Sequence, residues 1–304
     1  MKGIINIFKP SGITSNGVIN EIKKVTGERK IGHIGTLDPL AEGVLPLFLG
    51  KYTKLIPYCN LDDKTYLATA RLGGRSTTQD REGDIETVPI PESCTPAAIE
   101  SCLHAFLGES DQLPPMYSAV KIKGRKLYQY AREGITVERK ARRITIWEIE
   151  LVAIDMPAVT FRVKCSKGTY IRTLVEDVGE KLGTAAYLSA LTRLASGRYF
   201  DKSNAIPLSE AKKIDKSDLQ SRFVDPKYIL SDWHDVEIQS TLLLKHISQG
   251  RTIPVPLDIE RLSVPERQNS KAIATNQSGD LIATGSLEFS QDTGCIFRPE
   301  KVFI

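Results

Sequence analysis

Residues 30 to 54 read KIGHIGTLDPLAEGVLPLFLGKYTK, setting one histidine and one aspartate among four glycines and two prolines around an apolar run. Gly32, Gly35 and Gly43 allow the backbone to turn tightly and to approach another body closely. Asp38 precedes Pro39, which biases it toward extended backbone and removes a helical alternative. The sequel Val44 to Leu49 reads as a buried strand, so the loop is anchored on a rigid element. Asp38 in such a loop has two readings. It caps a turn through an Asx-type hydrogen bond, or it is held out for chemistry.

Upstream, GIINIFK predicts a strand, and the turn PSG leads to a helix capped by Thr14, Ser15 or Asn16 with Val18, Ile19, Ile22 and Val25 on one face. Downstream, KTYLATARLG alternates between two faces as a strand, and Gly73 to Gly83 reads as a long loop. TPAAIESCLHAFLG predicts a helix with Thr95 as N-cap, Pro96 at the first position, a stripe of Ile99, Cys102, Leu103 and Phe106, and Gly108 as its stop. His104 falls off that stripe and reads as a surface histidine.

Residues 113–134 form an insertion-like unit of double proline, short strand, turn and basic helix, after which ITIWEIELVAI and AVTFRVKCS resume as strands. KGTYIRTLVEDVGEKLG changes to helical period with Ile171, Leu174, Val175, Val178 and Leu182 inward, and AAYLSALTRLASGRYF returns to extended structure. From Asp201 to Asp232 the pattern weakens, which places a domain boundary near Ser231. Beyond it, TLLLKHISQG predicts a helix, and KAIATNQSGDLIATGSLEF predicts two strands in a hairpin. The fold class is therefore α+β: a mixed, mostly antiparallel sheet over residues 1–230 and a small β-rich domain over 231–304.

The 304 residues can bury a substantial core. A formal charge of +4 is too small to announce a nucleic-acid partner, but its distribution is uneven. Lys121 to Arg143 carries nine Lys or Arg against two Glu, with Tyr128 and Tyr130 interleaved. That block is either an RNA- or DNA-facing surface or a solvated helix face followed by a charge-protected edge strand. Five scattered cysteines with no C-x-x-C pair suggest neither a disulfide framework nor a zinc site. Nowhere do 18 apolar residues run together, and the N-terminus lacks a signal-like apolar stretch, so the expected location is cytoplasmic and away from membranes.

Phosphate-loop, dinucleotide, esterase and zinc-protease motifs are missing, and there are only four histidines, so a carboxylate mechanism leads. Arg172 follows Ile171 on the inward stripe, where an arginine near the core edge needs an anionic partner, and Asp38 is a suitable one. The competing reading is an exposed first-turn arginine. Tyr66 is either core or a ring offered to a planar base, which would contribute about 1 to 3 kcal/mol per stacked base.

The stretch 30–54 resembles the signature of the bacterial tRNA pseudouridine synthase B family, close to G-H-x-G-T-L-D-P-x-A-x-G-V-L-P. Further family-like segments follow in order: FKPSGITSN, KTYLATARLGG, PPMYSAVKIKGRKLYQYAREG, CSKGTYIRTLVEDVG and LSALTRLASGRYF. They cover roughly the first 200 residues, and QSGDLIATGSL resembles a PUA domain. Where the family often has Thr-Asp-Thr-x-Asp, this chain has STTQD, with Ser76 and Thr77 in the first two places and Asp80 kept; Tyr52 stands where a small residue is common.

The resemblance implies a pseudouridine-synthase catalytic domain with a PUA-like RNA-binding domain, isomerising uridine 55 in the T loop of tRNA without metal or organic cofactor and without protein partners. It implies Asp38 as the catalytic carboxylate, Arg172 as its ion-pair partner and Tyr66 as the stacking ring. Tyr170, His33 and Leu191 would wall the base, Lys9 would support the loop bearing Asp38, and residues 113–143 would clamp the T arm of the tRNA. A guide-RNA-dependent synthase subunit and an RNA-binding or RNA-folding module with incidental catalysis are the alternatives.

Overall fold

The structure, a computed structural model, describes residues 1–59, 63–255, 270–290 and 294–304. A ten-stranded mixed sheet organises the chain, in the order Ile206–Pro207, β1 (Gly3–Lys9), β3 (Glu42–Leu49), Ala186–Ser196, β4 (Asp63–Leu72), Ala158–Ser166, Arg142–Asp155 and Gly108–Gln112. Phe200–Asp201 pairs with Ala186–Ser196, and β2 (Ile31–His33) pairs with β3. Two pairings, β1 with Ile206–Pro207 and β3 with Ala186–Ser196, are parallel, and the other pairings of this sheet are antiparallel.

Sequence pattern follows from which faces are covered. β1 and β3 are almost wholly buried because both of their faces pack. Ile5, Ile7, Leu45, Leu47 and Leu49 join Val18, Ile19 and Ile22 of helix α1 (Ser15–Thr26) in one cluster. Ile4, Val44 and Phe48 point the other way, onto Tyr52, Leu55, Ile273, Leu281 and Phe303. Cutting Ile22, fully buried in the first cluster, to Ala would cost about 2 to 5 kcal/mol. In β4, by contrast, Tyr66, Ala68, Ala70 and Leu72 are buried while Arg71 is exposed. They pack with Ile99 and Leu103 of helix α2 (Pro96–His104) and Ile171, Leu174, Val175 and Val178 of helix α4 (Ile171–Lys181).

The caps match the expected chemistry. Thr14 accepts from Gly17 N and Thr95 from Ala98 N, each substitution to Ala costing about 1 kcal/mol. Other boundaries differ. Helix α2 ends at His104 rather than Gly108, because Gly108 (φ +93°) opens the edge strand Gly108–Gln112, and Phe106 packs from the connection instead. The expected loop from Gly73 to Gly83 contains the strand Gly74–Ser76, paired with Ile85–Thr87. The polar stretch after Asp201 carries short helices, Leu208–Ala211, Lys216–Ser221 and Pro226–Ile229, too short to show a period.

Residues 113–134 form the ribbon Lys121–Ile122 with Arg125–Lys126, turned by Lys123 (φ +50°) and Gly124 (φ +81°), then the five-residue helix α3 (Leu127–Ala131). A second, five-stranded sheet runs in the order His234–Ile238, Ser270–Asn276, Leu281–Ser290, Gly294–Val302 and Ile253–Val255. The helix Thr241–Ser248 contributes Leu243, Leu244 and Ile247 to its core. Its hairpin turns through Gly279 (φ +78°), and Asp280 N–H donates to Asn276 Oδ1. This is the α+β architecture with a small β-rich PUA-like end. The stretch 231–304 includes residues 256–269, which lie outside the described residues. No helix among those described is long and apolar enough to cross a membrane.

Candidate active site

The loop between β2 and β3 is fixed through its backbone and its apolar side chains. Leu37, Leu40 and Ala41, on either side of Asp38, are buried in the core cluster. Ser15, at the start of α1, clasps Leu37 twice: its Oγ accepts from the Leu37 N–H at 2.9 Å and donates to the Leu37 carbonyl at 3.0 Å. Gly12 N–H donates to Pro39 O at 2.8 Å and Ser11 Oγ to Leu40 O at 2.8 Å. Lys9, fully buried, donates from Nζ to the carbonyls of Pro10, Ile13 and Pro39. Burial lowers the Lys9 pKa to about 8.

With the backbone held by others, the Asp38 side chain turns to Arg172. The Arg172 Nε to Asp38 Oδ2 distance is 3.0 Å; the arginine side chain is 6 % exposed and the aspartate 40 %. Arg172 spends its other donors on fixed acceptors: Nη1 on Thr78 O at 3.1 Å and Asp80 Oδ2 at 3.4 Å, Nη2 on Tyr117 O at 2.8 Å. Burial raises the Asp38 pKa above the ordinary 3.8, with Arg172 and Lys9 opposing and Asp80 reinforcing the shift. Desolvation thus outweighs the ion pair in setting the direction of the shift.

Asp38 and Arg172 stand where two cavities meet. The larger, about 730 Å³, is lined by His33, Asp80, Tyr117 and, from the insertion, Lys126, Tyr128 and Arg132. The smaller, about 70 Å³, is lined by Tyr66, Tyr170, Ile171 and Leu191. Tyr66 comes from β4, and Leu191 lies opposite Ala68 on the neighbouring strand. Burial raises the Tyr66 pKa to about 12, so its phenol is neutral. Burial, reinforced by Arg193, lowers the pKa of His33, whose Nδ1 is buried without a hydrogen-bond partner among the described residues.

Of the residues expected at a site, the structure brings Asp38, Arg172, Tyr66, Tyr170, Leu191 and His33 to these two cavities. Lys9 lies behind the loop and lines neither, in keeping with a supporting place and not with contact to a bound molecule. Three residues were not anticipated as parts of the site. Asp80, buried, is the second carboxylate on Arg172 and also accepts from Thr78 Oγ1 at 2.6 Å and Glu82 N–H at 3.0 Å. Gln112, buried at the end of its strand, grips Tyr170 at both backbone atoms: Tyr170 N–H donates to Oε1 at 2.8 Å, and Nε2 donates to Tyr170 O at 3.1 Å. Arg193 lies fully buried on the strand beside Tyr66. The only sequence signal for Asp80 was its survival in STTQD; polar residues at strand ends and an arginine in LSALTRLAS gave none. Among the described residues, no three of His, Cys, Asp or Glu converge as metal ligands would.

Such an arrangement offers one recessed carboxylate, aligned by a guanidinium and opening on an aromatic slot and a basic groove. Residues 23–171 match the family described as TruB family pseudouridylate synthase (N terminal domain). The tRNA pseudouridine synthase B of Clostridium novyi is 52% identical over 211 residues, covering 69% of this chain and 72% of the relative. That of Burkholderia lata is 41% identical over 289 residues, covering 92% and 88%. Among solved structures, a chain of a Cbf5-Nop10-Gar1 complex superposes with a TM-score of 0.68 at 26% identity, covering 99% of this chain and 85% of the other.

Proposed function

From the premise that the chain belongs to the TruB family of pseudouridylate synthases, we propose that it isomerises uridine 55 in the T loop of tRNA to pseudouridine, with Asp38 as its catalytic residue. Isomerisation breaks the N1–C1′ bond, turns the uracil, joins C5 to C1′, loses the C5 proton and takes a proton up at N1, so atoms and electrons balance without an outside donor. One carboxylate acting on the nucleotide suffices. The observation that carries this reading is the 3.0 Å pairing of Asp38 with Arg172 at the junction of a basic groove and an aromatic slot.

The roles follow from position. A uridine inside a folded loop is unstacked and flipped at a cost of a few kcal/mol, and Tyr66 and Leu191 recover part of it by packing on the uracil in the small cavity. Tyr170, held by Gln112, closes that slot. His33 faces the outer cavity as a neutral imidazole, where it can pack or hydrogen-bond without adding charge. Lys126 and Arg132 face the T arm's phosphates across the larger cavity, in keeping with a contact that reads RNA shape. We assign residues 1–230 to catalysis and 231–304 to a PUA-like RNA-binding domain.

The likeness to Cbf5 raises a guide-dependent reading. Relatives named tRNA pseudouridine synthase B share 40 to 52% identity against 26% for the Cbf5 chain, and the chain carries its own cationic wall at the site, so the standalone reading is favoured. The test is to incubate the purified protein with an unmodified tRNA transcript and map pseudouridine by position. We expect product at position 55 from the parent and none from Asp38→Asn, with tRNA affinity changed less than about tenfold because the isostere keeps the pocket shape. Turnover by Asp38→Asn would remove Asp38 from the chemistry.

A further inference from the structure

Among the described residues, Arg193 is the largest fully buried charged side chain, and it is poorly satisfied. Its Nε donates to Val44 O at 2.7 Å, but Nη1 and Nη2 have no hydrogen-bond partner among the described residues. Desolvation works against its charge, and the group that favours it is the phenol of Tyr66. An uncompensated buried cation costs several kcal/mol, and an apolar residue of the same size is often as stable or more so. Packing alone therefore does not explain an arginine here.

The strand register does. Arg193 sits directly opposite Tyr66 on β4, so both side chains rise from the same face of the sheet, the face on which Leu191 lines the small cavity. On its other side Arg193 is opposite Gly43 of β3, where a Cβ would lie 2.2 Å from the Arg193 carbonyl. Gly35 (φ +69°) passes over the guanidinium; a Cβ there would stand 2.9 Å from Nη1. Gly35 of the Asp38 loop is thus fitted to the Arg193 guanidinium, whereas Gly43 in β3 is fitted to the Arg193 backbone. A guanidinium can only donate, so the phenolic oxygen of Tyr66, which favours the Arg193 charge, can face it only as an acceptor, with the phenolic proton turned away.

We propose that Arg193 is a positioning residue of the isomerisation, acting through Tyr66: it fixes the ring and hydroxyl of Tyr66 against the glycine loop that carries Asp38. The inference rests on the reading that Tyr66 and Asp38 face the flipped uridine. Arg193 lines neither cavity and so acts through Tyr66 without touching the tRNA, which places its effect in the rate and not in tRNA affinity.

The experiment measures single-turnover pseudouridine formation, tRNA Kd and thermal melting for Arg193→Met, Arg193→Lys, Tyr66→Phe, the Arg193→Met/Tyr66→Phe pair and Asp38→Asn. Arg193→Met is expected to melt no lower than the parent, to bind tRNA within about threefold and to react at least about tenfold more slowly, with partial rescue by Arg193→Lys. In the Tyr66→Phe background the same change should add less than about threefold. Parental rates, or a full independent loss in the double variant, would overturn the proposal. Should Arg193→Met fail to fold, Arg193→Lys decides: slowed chemistry with retained tRNA affinity supports the proposal, and an unchanged rate refutes it. If Asp38→Asn still turns over, the underlying site reading fails; if it is dead while the Arg193 variants are unimpaired, only the present inference fails.

Discussion

At the residue, the chemistry of Asp38 is a contest between desolvation and two cations. Burial is the largest influence and lifts its pKa above the ordinary 3.8; Arg172 and Lys9 pull it down, and Asp80 pushes it up. If the ionised carboxylate is the working form, the single-turnover rate must fall as pH drops through that raised pKa. Arg172→Met removes a lowering influence and is expected to move this acid limb to higher pH. Asp80→Asn removes a raising one and moves it lower, while keeping a hydrogen-bond acceptor for Arg172. Both limbs shifting in the same direction, in rates measured across the acid range, would rule out this electrostatic account. Asp38 and Arg172 were legible from sequence because a glycine-rich loop with Asp-Pro and an inward arginine are each locally odd. Asp80 and Gln112 were not, since what makes them matter is a partner 92 and 58 positions away.

At the level of the element, the strands and helices that face one cluster announced themselves by period, whereas pieces of two to six residues did not. The edge strand Gly108–Gln112 (GESDQ) is polar and, among the described residues, pairs only with Arg142–Ile146, so its identity comes from its neighbour rather than from its own residues. Helix α4 shows a different tension. Its inward stripe is apolar, but half-buried Asp177 has its pKa raised to about 6 by burial, with Glu176 and Glu180 adding to the shift. The folded state therefore holds this proton more tightly than the unfolded chain. As pH rises from the unfolded value near 3.8 through about 6, the unfolded state sheds its proton first and stability declines; above that window the loss is complete. Because Asp177 is only half-buried, solvent screening keeps the effect below the roughly 3 kcal/mol that a fully shielded shift of this size would give. Asp177→Asn is expected to flatten that decline and to stabilise the protein at neutral pH, as read by denaturant melts on either side of the window. An unchanged pH dependence would show that Asp177 is solvated in the fold.

For the whole molecule, a net charge of only +4 has to serve a polyanionic substrate, so its placement matters more than its sum. The ribbon and α3 of the insertion gather positive groups against tyrosine rings: Arg125 over Tyr130 at 4.5 Å, and Arg132 and Lys126 over Tyr128 at 5.4 and 5.6 Å. Lys126, Tyr128 and Arg132 line the larger cavity directly across from Asp38's loop, whereas Arg143 is engaged by Glu109 and Asp111 on the sheet edge. The fold therefore divides the basic block, putting Lys126 and Arg132 on the groove and Arg142 and Arg143 on the sheet edge, where Arg143 is paired with Glu109 and Asp111. Reversing the two halves separately tests that division. Lys126→Glu with Arg132→Glu should weaken tRNA binding and lower the magnitude of the slope of log K against log salt by roughly 1 to 2, about 0.7 to 0.9 per lost phosphate contact. Arg142→Glu with Arg143→Glu should change the slope much less, because at least one of those charges is already spent within the protein. Equal slopes for both pairs, measured by filter binding from low to moderate salt, would mean that the RNA backbone runs along the sheet edge as well, and the groove would lose its claim to be the principal contact.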